Sequence, residues 1–340
     1  MATTKRPTAT TSNDVSDNGR ATAREAIPAD STAVVVPGEV PDTVVGGAPL
    51  PVGETVPADA EVVAAEDSAP DMVRLRLDIS YDGADFSGWA FQPERRTVAG
   101  EINRALTFLF GRHERLTVAG RTDAGVHATG QVAHVDVPVE AWRQHGERAV
   151  WRLRGILPPD VRVPNVRVVD PAFDARFAAT WRRYVYRVSD SAWGVEPLRR
   201  NDTLGWARPL DAAAMGRAAT AVLGEHDFAA FCRKREGATT IRALRRFDVA
   251  RAEDGIIAIT VVADAFCHSM VRSLVGALIA VGEGRRDPAW FASMLTLGRR
   301  SDQITVAPPH GLTLVAVGYP DDPAAWSARQ TETRRVRTLP

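Results

Sequence analysis

Val73-Arg74-Leu75-Arg76-Leu77-Asp78-Ile79-Ser80-Tyr81 alternates apolar and polar side chains without a break. A period of two predicts a strand with one buried and one polar face. Asp82-Gly83 ends the run, as turn formers do. From Thr97 the period lengthens: Ile102, Leu106, Leu109 and Phe110 recur at helical spacing behind a capping residue, and Gly111 stops them. Leu116 to Val118 and Gln131 to Val137 read as two further strands. In the second, Ala133, Val135 and Val137 face one way while His134 and Asp136 face the other. Strand, loop, helix and strand in this order build a sheet with helices packed on one face, the α+β class.

On the N-terminal side the pattern vanishes. Residues 1–70 are rich in Ala, Thr, Pro, Val and acidic residues, almost without aromatics. Such a segment buries too little apolar surface to offset its ordering entropy, so a disordered acidic extension is expected there. It holds four basic and eleven acidic residues, a balance of −7, which leaves +7 on the rest of a chain whose net charge is zero. A moderately basic folded part suits a partner that carries phosphates, and suits many proteins without one. The basic residues are Arg except Lys5 and Lys234, a bias that a GC-rich genome explains at least as well as RNA binding. With 340 residues, 45% hydrophobic and 25% charged, the composition is that of a soluble globular protein with room for two domains. No apolar run approaches 18 residues and no signal-peptide pattern opens the chain. A cytoplasmic protein with no membrane partner is expected. Cys232 and Cys267 are too few for a disulfide framework and lack ligand spacing, so free thiols are expected.

Toward the C-terminus, a helical segment runs through Trp142, Ala149, Val150, Trp151 and Leu153. On a strand, Arg182, Tyr184 and Tyr186 share a face. A helix from Asp211 to Leu223 and strands at 242–250 and 256–263 repeat the earlier order of elements without a sequence repeat. Ala265 to Gly276 reads as a buried helix with one odd charge, Arg272, which needs a partner. A last strand covers 314–319, and 321–340 reads as a polar tail.

Gly120-Arg121-Thr122-Asp123-Ala124-Gly125-Val126-His127-Ala128 sits between two strands, with glycines at both shoulders. Glycine lets a bulky partner come close. On chemistry alone an ordinary turn explains Arg121 and Asp123 as well as a nucleophile does. Asp123, His127, His134 and Asp136 do not recur at zinc-ligand spacing and no cysteine joins them, so no metal is expected. His127 is expected to order the loop by hydrogen bonding.

The nonapeptide resembles the active-site motif of the tRNA pseudouridine synthases of the TruA family. Five further stretches are similar to that family: Tyr81 to Trp89, Leu157 to Val161, Phe173 to Tyr186, Ala265 to Gly276, and Ala307 to Tyr319. The resemblance departs at Ala90, Arg154 and Ser273, where many members carry Gln, Asn and Asn, and it spans roughly 73–319. It implies two related α/β halves, 71–179 and 180–320, whose antiparallel sheets merge into one extended sheet with helices on one face and a cleft on the other. It implies Asp123 as the nucleophile, Arg121 as the base-flipping residue, and Arg272 beside the aspartate. A cation next to a carboxylate favours its charged, nucleophilic form, and a carboxylate can attack either ribose carbon 1′ or uracil carbon 6. Tyr184 and Leu312 would line the uracil, with Tyr186 in support and Trp89 in the core. Phe173, Arg176 and Phe177 would lie on the RNA surface. Lys234 and Arg235, in a basic polar loop, read as a finger on the tRNA backbone.

The implied activity is isomerisation of uridine to pseudouridine at positions 38, 39 and 40 of the tRNA anticodon arm, by a homodimer needing no cofactor and no metal. RNA of that kind is read by shape and phosphate contacts. Two other readings are a noncatalytic RNA-binding protein, which would have no use for a nucleophile, and an enzyme of the same family with shifted targets.

Overall fold

In the computed structural model, residues 71–233 and 239–335 are described. The alternating stretch forms β1 (Met72–Tyr81), with Leu75, Leu77, Ile79 and Tyr81 buried. It leads into α1 (Val98–Phe110), where the Thr97 hydroxyl accepts the Gly100 amide and Gly111, at φ 70°, returns its N–H to the Thr107 carbonyl. Both ends of that helix are therefore satisfied by the residues read as cap and stop.

After β2 (Thr117–Val118) comes β3 (His127–Pro138), which starts four residues before Gln131. The reason is non-local: Ala128 pairs with Tyr81 on one side and with Leu314 on the other. Two short helices, α2 (Val139–His145) and α3 (Ala149–Ile156), precede β4 (Val161–Val168). The second half supplies β5 (Trp181–Ser189), β6 (Leu204–Gly205), α4 (Ala212–Thr220), β7 (Gly224–Asp227), β8 (Ile241–Arg251) and β9 (Ile257–Ala263). It ends with α5 (Met270–Gly282), α6 (Pro288–Ser293), β10 (Leu312–Gly318) and α7 (Ala324–Arg334).

The strands form a single sheet in the order β4-β1-β3-β10-β5-β9-β8-β7, with β2 beside β3 and β6 beside β5. The two halves join where β10 enters between β3 and β5, parallel to the first and antiparallel to the second. One continuous core then gathers the apolar positions of β1, β3, β5 and β9 with those of α1, α4 and α5. Every residue of α5 except Arg272 is buried.

The polar side of the sheet carries a smaller cluster of Ala119, Val132, Phe173 and Ala175, covered by Tyr319 and Trp326. Trp326 lies on α7, so the segment expected to be a polar tail contains a docked helix: its ring meets Phe173 at 5.0 Å and Gln330 donates to the Ala172 carbonyl. The cysteines also depart from expectation. Cys232 and Cys267 are bonded to each other, with Cα atoms 5.7 Å apart, because the turn after Phe231 and the loop between β9 and α5 meet, a proximity that a separation of 35 residues conceals. Among the described residues no helix is long and apolar enough to cross a membrane.

Candidate active site

Two arms converge on Asp123. The first is its own loop between β2 and β3, tied down by backbone bonds. Trp89 N–H donates to the Thr122 carbonyl at 3.1 Å, Gly125 N–H to Phe86 at 3.3 Å, and Val126 N–H to Asp123 at 3.2 Å. Below it lies a buried polar chain: the Thr122 hydroxyl is 2.8 Å from the Tyr81 hydroxyl, and Gln131 donates to that hydroxyl and to the Gly120 carbonyl. Burial pushes the Tyr81 phenol up to about 12, so it stays neutral and able to donate. His127 orders the loop as expected. Its Nδ1 receives the Gly83 amide at 3.0 Å, and its Nε2 lies 3.0 Å from the His310 carbonyl. Glycine is required at position 83, since a Cβ there would stand 2.1 Å from the Val126 carbonyl oxygen.

The second arm is the start of α5 with the loop before it. The partner that Arg272 needs is Asp123: Nη1 donates to Oδ2 at 3.2 Å while Nε donates to the Ala307 carbonyl at 2.8 Å. The Ala307 amide answers on the Arg272 carbonyl at 3.0 Å. That close approach of α5 to the 305–307 segment depends on Gly276, where a Cβ would fall 1.7 Å from the Thr305 oxygen. On the other side of the carboxylate, His268 Nε2 stands 3.4 Å from Oδ1. The Asp123 side chain is 30% exposed, so Arg272 and His268 leave it reachable.

Tyr184 and Leu312 come from adjacent strands and are nearly buried, at 8% and 5% exposure. A Cβ on Gly120 would be 4.0 Å from the Tyr184 hydroxyl, and Phe266 packs edge-on to the Tyr184 ring at 5.1 Å. Burial, aided by the negative charge of Asp123, raises the Tyr184 phenol well above its ordinary value. Tyr186 donates to the Pro308 carbonyl at 2.8 Å, and Leu312 lies opposite it in the sheet. Trp89 is core, tilted against Tyr81. The guanidinium of Arg182, buried at 7% exposure, donates to the carbonyls of Asp264, Ala119 and Arg176. It thus ties the second arm, the end of β2 and the Phe173 segment together.

The expected residues therefore divide. Asp123 and Arg272 touch, with Tyr184 close by, and Arg121 is exposed on the same loop. Phe173 is corrected: with no exposed surface it anchors its segment and cannot itself meet RNA. Arg176 is exposed, and the Phe177 ring lies beneath the guanidinium groups of Arg176 and Arg334, at 4.9 and 4.8 Å. Lys234 and Arg235 fall outside the described residues. Among those described, no group of three or more His, Cys, Asp or Glu is placed to hold a metal ion. His268 and the connecting role of Arg182 were not read from the sequence. A lone histidine carries no signal of its own, and Arg182 showed only that it shared a face with two tyrosines.

A family model described as tRNA pseudouridine synthase matches residues 218–320. The tRNA pseudouridine synthase A of Frankia casuarinae is 57% identical over 270 residues, covering 79% of this chain and 97% of that one. That of Streptomyces avermitilis is 55% identical over 280 residues, covering 81% and 98%, and that of Mycobacterium leprae 48% over 277, covering 78% and 96%. With relatives this similar over about four fifths of its length, the chain belongs to the tRNA pseudouridine synthase A family.

Proposed function

We propose that this enzyme converts uridine to pseudouridine at positions 38, 39 and 40 of the anticodon arm, with Asp123 as the nucleophile. The observation that carries the reading is the Asp123 carboxylate itself, open to solvent, with Arg272 on one oxygen and His268 facing the other. One carboxylate oxygen attacks the nucleotide at ribose carbon 1′ or uracil carbon 6. The N1–C1′ bond breaks, the uracil turns, and carbon 5 bonds to C1′. The carboxylate is released, from carbon 1′ as the new bond forms or from carbon 6 afterwards; the hydrogen on carbon 5 leaves as a proton and N1 takes one up. Nothing is gained or lost overall, so a covalent intermediate divides one hard step into two easier ones.

The remaining residues fit parts of that sequence. Arg121, exposed on the loop, fills the gap left when the uridine leaves its stack, a departure that costs a few kcal/mol. Tyr184 and Leu312 form the walls against the uracil, where apolar surface excludes water. Arg176, with Arg334 against the same Phe177 ring, adds positive charge for the phosphate backbone, as Lys234 and Arg235 do from their loop. A cytoplasmic homodimer completes the proposal, supported by the family resemblance; sedimentation of the purified protein tests the dimer.

The experiment is release of tritium from tRNA carrying [5-³H]uridine, with chelator present. Wild type should release it, and Asp123→Asn should lose roughly 10⁴-fold or more in rate, the scale expected when a nucleophile is removed. Tight binding of tRNA without release would favour the noncatalytic reading. Release that persists after positions 38–40 are changed to cytidine would place the target elsewhere.

A further inference from the structure

We infer that His268 is a positioning residue for Asp123, fixing the carboxylate oxygen that Arg272 does not hold; this rests on the reading of Asp123 as nucleophile. A carboxylate turns easily about its terminal torsion, and a contact at Oδ2 alone leaves that rotation free. Arg272 Nη1 at 3.2 Å from Oδ2 and His268 Nε2 at 3.4 Å from Oδ1 together set the plane of the group. For an attacking oxygen, orientation at this scale decides the rate, since a misplacement of about 1 Å can cost on the order of 10²-fold.

The backbone around His268 is constrained far more than a surface loop needs. Its carbonyl accepts the Arg233 amide at 3.1 Å. The residue before it, Cys267, is bonded to Cys232. The residue after it, Ser269, is left-handed at φ 63°, a conformation that persists in a non-glycine residue only where the surroundings enforce it. Ser269 is also the residue from which α5 starts, so His268 and Arg272, four residues apart, are delivered to Asp123 as one unit. The His268 ring is 40% exposed, on the same open side as the carboxylate. Among the described residues, Asp123 is the polar group that its ring meets.

The test compares wild type, His268→Ala, His268→Gln and Asp123→Asn by kcat and KM for tritium release, with melting temperature measured beside them. His268→Ala should lower kcat by about 10- to 100-fold and leave KM for tRNA within about threefold, because the ring acts on Asp123 and not on tRNA binding. His268→Gln can place an amide N–H where Nε2 stood and should recover to within about fivefold of wild type.

A second substrate separates the steps. In tRNA carrying 5-fluorouridine, fluorine cannot leave carbon 5 as a cation, so the reaction halts once the C1′–C5 bond has formed. If His268 serves the attack by Asp123, formation of the carbon-linked product slows in His268→Ala by the same factor as tritium release. Full kcat in His268→Ala beside an inactive Asp123→Asn would overturn this inference alone. So would equal losses in the Ala and Gln variants, or normal carbon–carbon bond formation with slow tritium release. Activity retained by Asp123→Asn would instead overturn the nucleophile reading, whatever His268 does.

Discussion

The two arms that meet at Asp123 are held by different means. The Gly120–Ala128 arm is fixed by hydrogen bonds alone: its amides and carbonyls bond to Phe86, Trp89 and Gln131, its threonine to Tyr81, and His127 to the Gly83 amide and the His310 carbonyl. The Asp264–Gly276 arm adds a covalent link, at Cys232, to its bonds with the Arg233 amide and the Ala307 segment. Asp123 itself is written in a motif of nine neighbouring residues, whereas the direction in which its carboxylate points is set by Arg272, 149 positions away. If that division is right, the two arms can be loosened separately.

The covalent link offers the largest separation. Closing a loop of 35 residues stabilises a protein by roughly 3–4 kcal/mol in the chain-entropy description. Replacing both cysteines by serine should lower the unfolding free energy by about that amount. Hydrogen exchange should rise at the Arg233 and Met270 amides, which anchor the second arm, while the Trp89 and Gly125 amides of the first stay protected. A bond of this kind is rare in a reducing compartment, so the link itself is checked first. Alkylation of the protein unfolded in denaturant, without reductant, should add no mass, and the addition of two groups would refute it.

Two glycines sharpen the contrast at a smaller scale. Alanine at 83 drives a Cβ against the Val126 carbonyl, and alanine at 276 drives one against Thr305. Each forces backbone apart at roughly 1–3 kcal/mol. Position 276 lies inside α5, where alanine gains about 1 kcal/mol of helix propensity over glycine. Gly276→Ala should therefore lose less stability than Gly83→Ala in thermal melts, yet still lose tenfold or more in kcat, because the shift carries Arg272 away from Asp123. Equal stability loss with unchanged activity at 276 would show that Arg272 does not depend on that close approach.

What the sequence showed and what it hid follow the same division. β1, α1 with both of its caps, β8 and β9 lie within a residue or two of their expected positions, since period and capping are local signals. The start of β3 was missed because pairing with β10 extends it, and the inclusion of Leu312 in β10 because that residue is paired with Tyr186 of β5. The α7 helix was missed because Trp326 is the one aromatic residue of an otherwise polar stretch, and its other docking contacts, from Gln330 and Arg334, are polar. Phe173 read as an RNA contact because its neighbours are charged, but the aromatic residues that bury it, Tyr319 and Trp326, lie well over a hundred residues further on. Asp123 was legible as part of a motif. The cysteine pair and His268 were not, since proximity across the fold leaves no trace in spacing.

The smallest effect expected concerns the cluster under Phe173, apart from both arms. His134 is buried there, its Nδ1 accepting the Ala175 amide at 2.9 Å, and burial, aided by the Arg74 charge, lowers its pKa from the ordinary value. The unfolded chain takes up a proton near pH 6.5 while the folded protein resists it, so this stabilisation is present above that pH and is lost as the pH falls through the lower folded value. His310, also lowered by burial, acts in the same direction, whereas Asp136, held down by Arg74, matters only in the carboxylate range. Stability should decline from about pH 6.5 downward by no more than about 1.4 kcal/mol per pH unit for each histidine. His134→Asn should remove part of that slope, because the amide oxygen can still accept from Ala175 but takes up no proton. Exchange of the Ala175 amide should rise on acidification before that of Gly125 does. Simultaneous loss at both would mean that the Phe173 segment and the Asp123 loop open as one unit, through Ala119 and the Arg182 guanidinium that joins them.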